Sequence, residues 1–225
     1  MNEPATSGPE RILVIGRSPG VILDAAGILR GKGFRADATN QFDDVLTEYD
    51  TANIDVVVFG GMVPPHAKQR LTEEISKVND HVAFVQGLAG IAGLIAAQVE
   101  GATSTAGDGN AVAYDTTNRT VRLTLPEPAQ VVVEAWWATS FTPPEPASTS
   151  MRVIDTHLDQ GEYVFPLPAE VPPVASFVTV SAGPAVRAFT VGAMPEAVMR
   201  MVPAGDPTQP SALPPVRAVA THSHD

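Results

Sequence analysis

Cysteine is absent from this 225-residue chain, which excludes a disulfide scaffold, a zinc ribbon, a thiolate iron–sulfur site and a cysteine nucleophile. Basic residues are scarce: 14 Lys+Arg stand against 25 Asp+Glu, a formal net charge of −11. Non-specific nucleic-acid binding needs cations that displace counterions from phosphates, so no nucleic-acid partner is expected. Anionic membrane surfaces are disfavoured for the same reason. Long hydrophobic runs are missing too. The longest, residues 82–99, is interrupted by Gln86, Gln98 and three glycines, so no membrane partner is expected. Residues 1–10 are polar, with Pro4, Gly8 and Pro9, and show neither a basic nor an apolar leader region; they read as a flexible N-terminus. A cytoplasmic protein is expected. The chain is long enough for a real hydrophobic core without a covalent or metal staple.

What is present divides into two halves. Of 21 prolines, five lie in residues 1–100 and the remaining sixteen in 101–225. Residues 101–110, Gly-Ala-Thr-Ser-Thr-Ala-Gly-Asp-Gly-Asn, read as a linker. Before it, strand and helix signals alternate. Strands are expected at 11–15, 34–38, 55–59 and 81–85, and helices at 21–29, 41–50, around Leu71, Ile75 and Val78, and at 90–99. Short apolar runs that end in glycine suit strands buried on both faces. The fold class expected for 11–100 is therefore α/β, a doubly wound parallel sheet with helices on both faces. Residues 111–194 carry only strand and turn signals, with strands expected at 111–115, 120–125, 130–139, 151–158, 162–167, 176–182 and 186–191. That spacing suggests an all-β domain, an immunoglobulin-like β-sandwich. One short helix is expected at 194–201, and residues 203–225, rich in Pro, Ala and Ser, are expected to form a disordered tail.

Residues 11–99 resemble a response-regulator receiver domain. The likeness rests on Ile12-Leu-Val-Ile15, Pro19, the helix ending in Leu29-Arg-Gly-Lys-Gly-Phe34, the Asp43-Asp-Val-Leu46 segment, and Asp55-Val-Val-Val-Phe-Gly-Gly-Met-Val-Pro64. The resemblance implies a flavodoxin/receiver-like sheet, and its departures are informative. Gly16 and Arg17 stand where receivers place an acidic pair for Mg²⁺. Gly60 stands where they place the phosphoacceptor aspartate, and Gln86 and Gly87 where they place Thr or Ser. Phosphoryl transfer to a carboxylate needs that nucleophile and a cation. The resemblance thus implies a pseudo-receiver that cannot be phosphorylated in the usual way. No catalytic residue and no cofactor is expected, and the function expected is a non-enzymatic regulatory or protein–protein interaction module.

An alternative uses the glycines. Gly16, Gly60, Gly61 and Gly87 fall at the carboxyl ends of expected parallel strands, where open α/β sheets bind ligands. With Arg17, Ser18 and Gln86 they form a candidate nucleotide or small-molecule site, with an oxidoreductase-like enzyme as one outcome. The turn Gly16-Arg-Ser-Pro-Gly20 is similar to that of short-chain dehydrogenases, but no Tyr has a Lys four residues on, and Asp37 is the nearest candidate to hold a ribose. Ser18 before Pro19 also reads simply as a helix cap.

Three further features stand out. Trp136 and Trp137 are neighbours on a strand, so one should be core and the other face outward; with Phe141 the outward one is a candidate interface anchor. The expected fourth helix carries no charge, and Ile91, Leu94 and Ile95 mark it as apolar all round. It must be covered by the second half or by another subunit, and a homodimer is the favoured expectation. His222 and His224 at the end of the chain are a candidate metal pair. A disordered tail lacks the second shell that fixes a specific site, so no metal is expected.

Overall fold

The computed structural model describes residues 9–104, 111–140, 145–193 and 215–223. The N-terminal half is a parallel sheet of β1 (Arg11–Ile15), β2 (Arg35–Thr39), β3 (Val56–Phe59) and β4 (Ala83–Gln86), in the order β2-β1-β3-β4. Strand alternation sorts its side chains onto two faces. Ile12, Val14, Ala36, Ala38, Val56 and Val58 point to one, and Leu13, Ile15, Val57 and Phe59 to the other. Helices α1 (Pro19–Gly31) and α4 (Ala92–Thr103) cover the first face through Ile22, Ala25, Leu29, Ile95 and Val99. Helix α3 (Pro65–Val78) and the one-turn α2 (Val45–Glu48) cover the second through Leu71, Ile75 and Val45. The dual burial explains the uninterrupted apolar runs of β1 and β3.

Local chemistry sets the helix ends. Helix α1 starts with Pro at its first position, where a missing N–H costs nothing. It ends in a Schellman arrangement: Phe34 N–H reaches Leu29 O, Gly33 N–H reaches Arg30 O, and Gly33 takes φ +97°. Helix α2 is far shorter than the expected 41–50. Its would-be first turn is engaged elsewhere: Gln41 N–H donates to Thr39 Oγ1, and Phe42 O accepts from Arg70 Nη2. At the other end Tyr49 is extended, φ −120°.

The β-rich half holds β5 (Ala111–Asp115), β6 (Thr120–Leu125), β7 (Ala129–Ser140), β8 (Ala147–Leu158), β9 (Gly161–Pro166), β10 (Ser176–Ala182) and β11 (Ala185–Val191). They make two antiparallel sheets, β11-β10-β7-β8 and β5-β6-β9. The sheets pack face to face over Val121, Leu123, Leu125, Val131, Val133 and Val178. The molecule is thus mixed α/β with strands dominating, a parallel sheet with helices plus antiparallel sheets. Among the described residues no helix is long and apolar enough to cross a membrane.

Three expectations need correction. The linker does not begin at residue 101: α4 runs to Thr103, and Ser104 Oγ donates to Pro184 O at 2.8 Å. Residues 105–110 lie outside the described residues, as do the helix expected at 194–201, Phe141 and His224. The disordered tail does not hold for 215–223. There the chain forms an antiparallel bridge, Thr39 with Ala220, on the outer edge of β2, and buries Val219 in the sheet core. A sheet edge is a row of unpaired N–H and C=O groups, and these residues, free of proline after Pro215, can pair with it. Finally, the apolar helix that suggested a second subunit is covered within the chain. Its outer face, Ile91 and Leu94, packs with Phe177 and Trp136 of the β-rich half.

Candidate functional site

The carboxyl ends of the parallel strands bring Gly16, Gly60, Gln86 and Gly87 together. Backbone bonds continue the ladder one step past the strands: Gly60 N–H to Ile15 O at 2.8 Å, Gly87 N–H to Phe59 O at 2.8 Å, and Gly16 N–H to Thr39 O at 3.1 Å. The glycines are required by packing. A Cβ at Gly16 would lie 2.6 Å from Ile22 Cγ2, and one at Gly60 would lie 3.3 Å from Gly16 Cα and 3.5 Å from Ile15 O. Backbone therefore lies close to backbone where β1 and β3 end. Gly61 sits exposed in the turn beyond.

Gln86, Lys68 and Gln98 at this edge are turned toward the protein itself. Gln86 Nε2 donates to Phe59 O at 2.8 Å, and its Oε1 accepts from Lys68 Nζ at 2.8 Å. Burial lowers the Lys68 pKa, and the neutral amide offers no charge to offset it. Gln98 ties the 86–88 turn to α4, accepting from Leu88 N–H at 3.0 Å and donating to Gln86 O at 2.9 Å. Ser18 is buried at the N-cap of α1 but makes no side-chain cap bond, contrary to the simple cap reading. A carboxylate from the β-rich half, Glu145, stands there. Its Oε1 accepts from Gly20 N–H at 3.2 Å, and a Cβ at Gly20 would lie 2.9 Å from its Oε2. A helix N-terminus attracts an anion because its N–H groups are unpaired and its dipole is positive there. Here the chain supplies the anion.

The candidate interface residues become an internal joint. Trp136 and Trp137 do face opposite ways: Trp137 packs on the inter-sheet core, whereas Trp136 joins Ala89, Ile91, Leu94 and Phe177. The outward tryptophan thus docks the β-rich half on α4. Its indole lies where a Cβ of Gly93 would fall, 2.1 Å from Cη2, and its Nε1 donates to Thr179 Oγ1 at 2.9 Å. Ile95 turns to the parallel-sheet core. Beside the joint runs a groove lined by Lys32, Glu100, Glu134, Trp136 and Arg152 among others. Lys32 pairs with Glu100 at 2.9 Å and Arg152 with Asp155 at 2.8 Å, so its cations are neutralised by the chain. Among the described residues no group of three His, Asp or Glu could hold a metal. His222 instead stacks on Tyr49, ring centroids 5.0 Å apart.

Sequence reasoning missed Glu145 and the whole edge contact of residues 215–223. Asp37, the ribose candidate, accepts from Thr221 Oγ1, Ser223 Oγ and Ser223 N–H, each at 3.0 Å. Alternating Val219 and Thr221 in a proline-free stretch was the available signal. Compared with known proteins, the chain matches no protein-family model and no curated sequence.

Proposed function

We propose that this protein is a non-enzymatic interaction module in which a phosphorylation-incompetent, receiver-like unit carries an immunoglobulin-like sandwich. The receiver-like half of this reading is supported by the parallel order β2-β1-β3-β4, which follows the flavodoxin-like order 2-1-3-4-5 through its fourth strand. The sandwich half is supported by strand grouping. Numbered within the β-rich half, strands three, six and seven share one sheet and one, two and five the other. Immunoglobulin domains group CFG and ABE in this way; here the fourth strand joins CFG.

The observation that carries the functional reading is the closed strand edge. By the resemblance Gly60 stands in the phosphoacceptor's place, where even a Cβ would lie 3.3 Å from Gly16 Cα, and Glu145 holds the anion position at α1. A nucleotide or phosphate at the start of α1 would have to displace that carboxylate. That weighs against the alternative of a nucleotide or small-molecule binding protein. The test is incubation of the full chain with acetyl phosphate and Mg²⁺, followed by intact-mass spectrometry. No phosphoryl adduct is expected. An aspartyl phosphate on any residue of the parallel sheet would overturn the reading.

A further inference from the structure

The outer edge of β2 pairs with residues 215–223, which add one side chain, Val219, to the sheet core. Residues 215–223 are mostly exposed, with Val219 the one buried side chain, yet they are held by contacts that read their sequence. Backbone pairing comes from Asn40 N–H to Val219 O and Thr221 N–H to Ala38 O, both at 3.0 Å. The Asn40 side chain completes the grip, accepting from Val219 N–H at 2.8 Å and donating to Arg217 O at 2.7 Å. Thr221 is read by three groups: its Oγ1 accepts from Ala38 N–H at 2.9 Å and from Arg30 Nη2 at 3.1 Å, and donates to Asp37 at 3.0 Å. Ser223 is read by Asp37, and Tyr49 OH donates to Thr221 O at 3.1 Å. Main-chain pairing with alternate side chains specified is how an exposed sheet edge recognises an extended peptide.

We propose that the β2 edge, with Asp37, Arg30, Asn40 and Tyr49, is an acceptor for an extended segment of a partner protein bearing Val-x-Thr-x-Ser, and that residues 215–223 hold this acceptor as an internal competitor. Charge and shape favour a partner of this chemistry. The acceptor offers a carboxylate for two hydroxyls and a pocket for one β-branched residue. Only 21 residues, 194–214, separate the last described residue of the β-rich half from Pro215. Being part of the same chain, the internal copy competes intramolecularly, so a partner binds only by out-competing it or after its release. This proposal rests on the interaction-module reading and extends it to a place and a ligand.

The test uses the full chain with Val219→Asp, which sets a charge against the apolar pocket and frees the segment. The probe is a fluorescein-labelled peptide of residues 217–225, followed by anisotropy. Saturable binding to Val219→Asp is expected, at least tenfold tighter than to the wild-type chain. The same peptide with Thr221→Ala and Ser223→Ala should bind at least tenfold more weakly. Should Val219→Asp lose its wild-type circular dichroism, the full chain with Thr221→Ala and Ser223→Ala, which keeps the valine, takes its place. Absence of binding by a folded release variant overturns the proposal, as does equal binding by released and wild-type chains. A wild-type dimer in light scattering that Val219→Asp abolishes would assign the site to a second copy and overturn the partner named here. None of these readouts depends on phosphoryl transfer, so the acceptor and the closed strand edge fail separately.

Discussion

Alanine at position 93 should destabilise this protein, although alanine is the better helix former. The gain from Gly→Ala is at most about 1 kcal/mol in a helix interior and less in the first turn, where Gly93 stands. Against it, the new Cβ would lie 2.1 Å from Trp136 Cη2 and 2.3 Å from Cζ3. Carbon atoms rest at about 3.5–4.0 Å, so the indole must retreat by about 1.5 Å. Forced repacking of this kind costs about 1–3 kcal/mol. The retreat also breaks the 2.9 Å bond from Trp136 Nε1 to Thr179, worth about 1 kcal/mol. The net loss is about 2 kcal/mol, which for a chain of this size lowers Tm by about 4–8 °C. Placed on a Trp136→Ala background, the same change meets no ring and should be neutral or stabilising by up to about 1 kcal/mol. Thermal unfolding of the four chains of this double-mutant cycle reads the coupling directly. An equal effect of Gly93→Ala in both backgrounds would refute the packing of the indole on α4.

Further outcomes follow from particular contacts. Asn79 is buried and its Nδ2 donates to Ile54 O at 2.7 Å and Thr51 O at 3.1 Å; Asn79→Ala leaves both carbonyls short of a donor and should cost about 2–3 kcal/mol in urea unfolding, whereas a loss under about 0.5 kcal/mol would contradict the bonds. Gly60→Asp, which sets a carboxylate at the end of β3, should destabilise by about 1–3 kcal/mol and still yield no adduct with acetyl phosphate in mass spectrometry; an adduct would show that the edge can open. Burial, the largest cause, raises the Tyr49 pKa above its ordinary 10.0. A raised folded-state pKa means that its contribution is complete below pH 10.0 and is lost as pH climbs through the higher folded value. Hydrogen exchange of the Thr221 and Ser223 amides should therefore accelerate above pH 10.0 in the wild type beyond its intrinsic rise, and the extra step should vanish in Tyr49→Phe.

Most elements were legible in the sequence where neighbours in the chain decide them. The strands at 111–115, 120–125 and 176–182 end where their turn residues end them. Helix α4 was readable as apolar all round, but what covers it was not, because the answer lies in the distant Trp136 and Phe177. Helix α2 was overestimated for the same reason: its periodic residues are present, yet Arg70 takes the Phe42 carbonyl. At the candidate site, the glycines were rightly placed at the strand ends, and their meaning was not visible. Close backbone approach and ligand access ask for the same residue, and only geometry separates them. Glu145, an exposed carboxylate in a proline-rich stretch of sequence, has no local pattern that marks it as the partner of α1. Residues 215–223 were hidden because a lone edge strand is specified by its partner, and β2 lies about 180 positions earlier in the chain.

The most direct test of the closed strand edge is a thermal-shift panel on the full chain with NAD, NADP, flavin, ATP, GTP, cyclic nucleotides and divalent metals. A ligand at about 100 times its Kd would stabilise by about 2.7 kcal/mol, or about 5–10 °C here. The account predicts no such shift with any of them. A reproducible rise with one nucleotide, abolished by substitution at Gly16 or Arg17 and kept by Val219→Asp, would contradict it and make the glycine-lined edge a binding site.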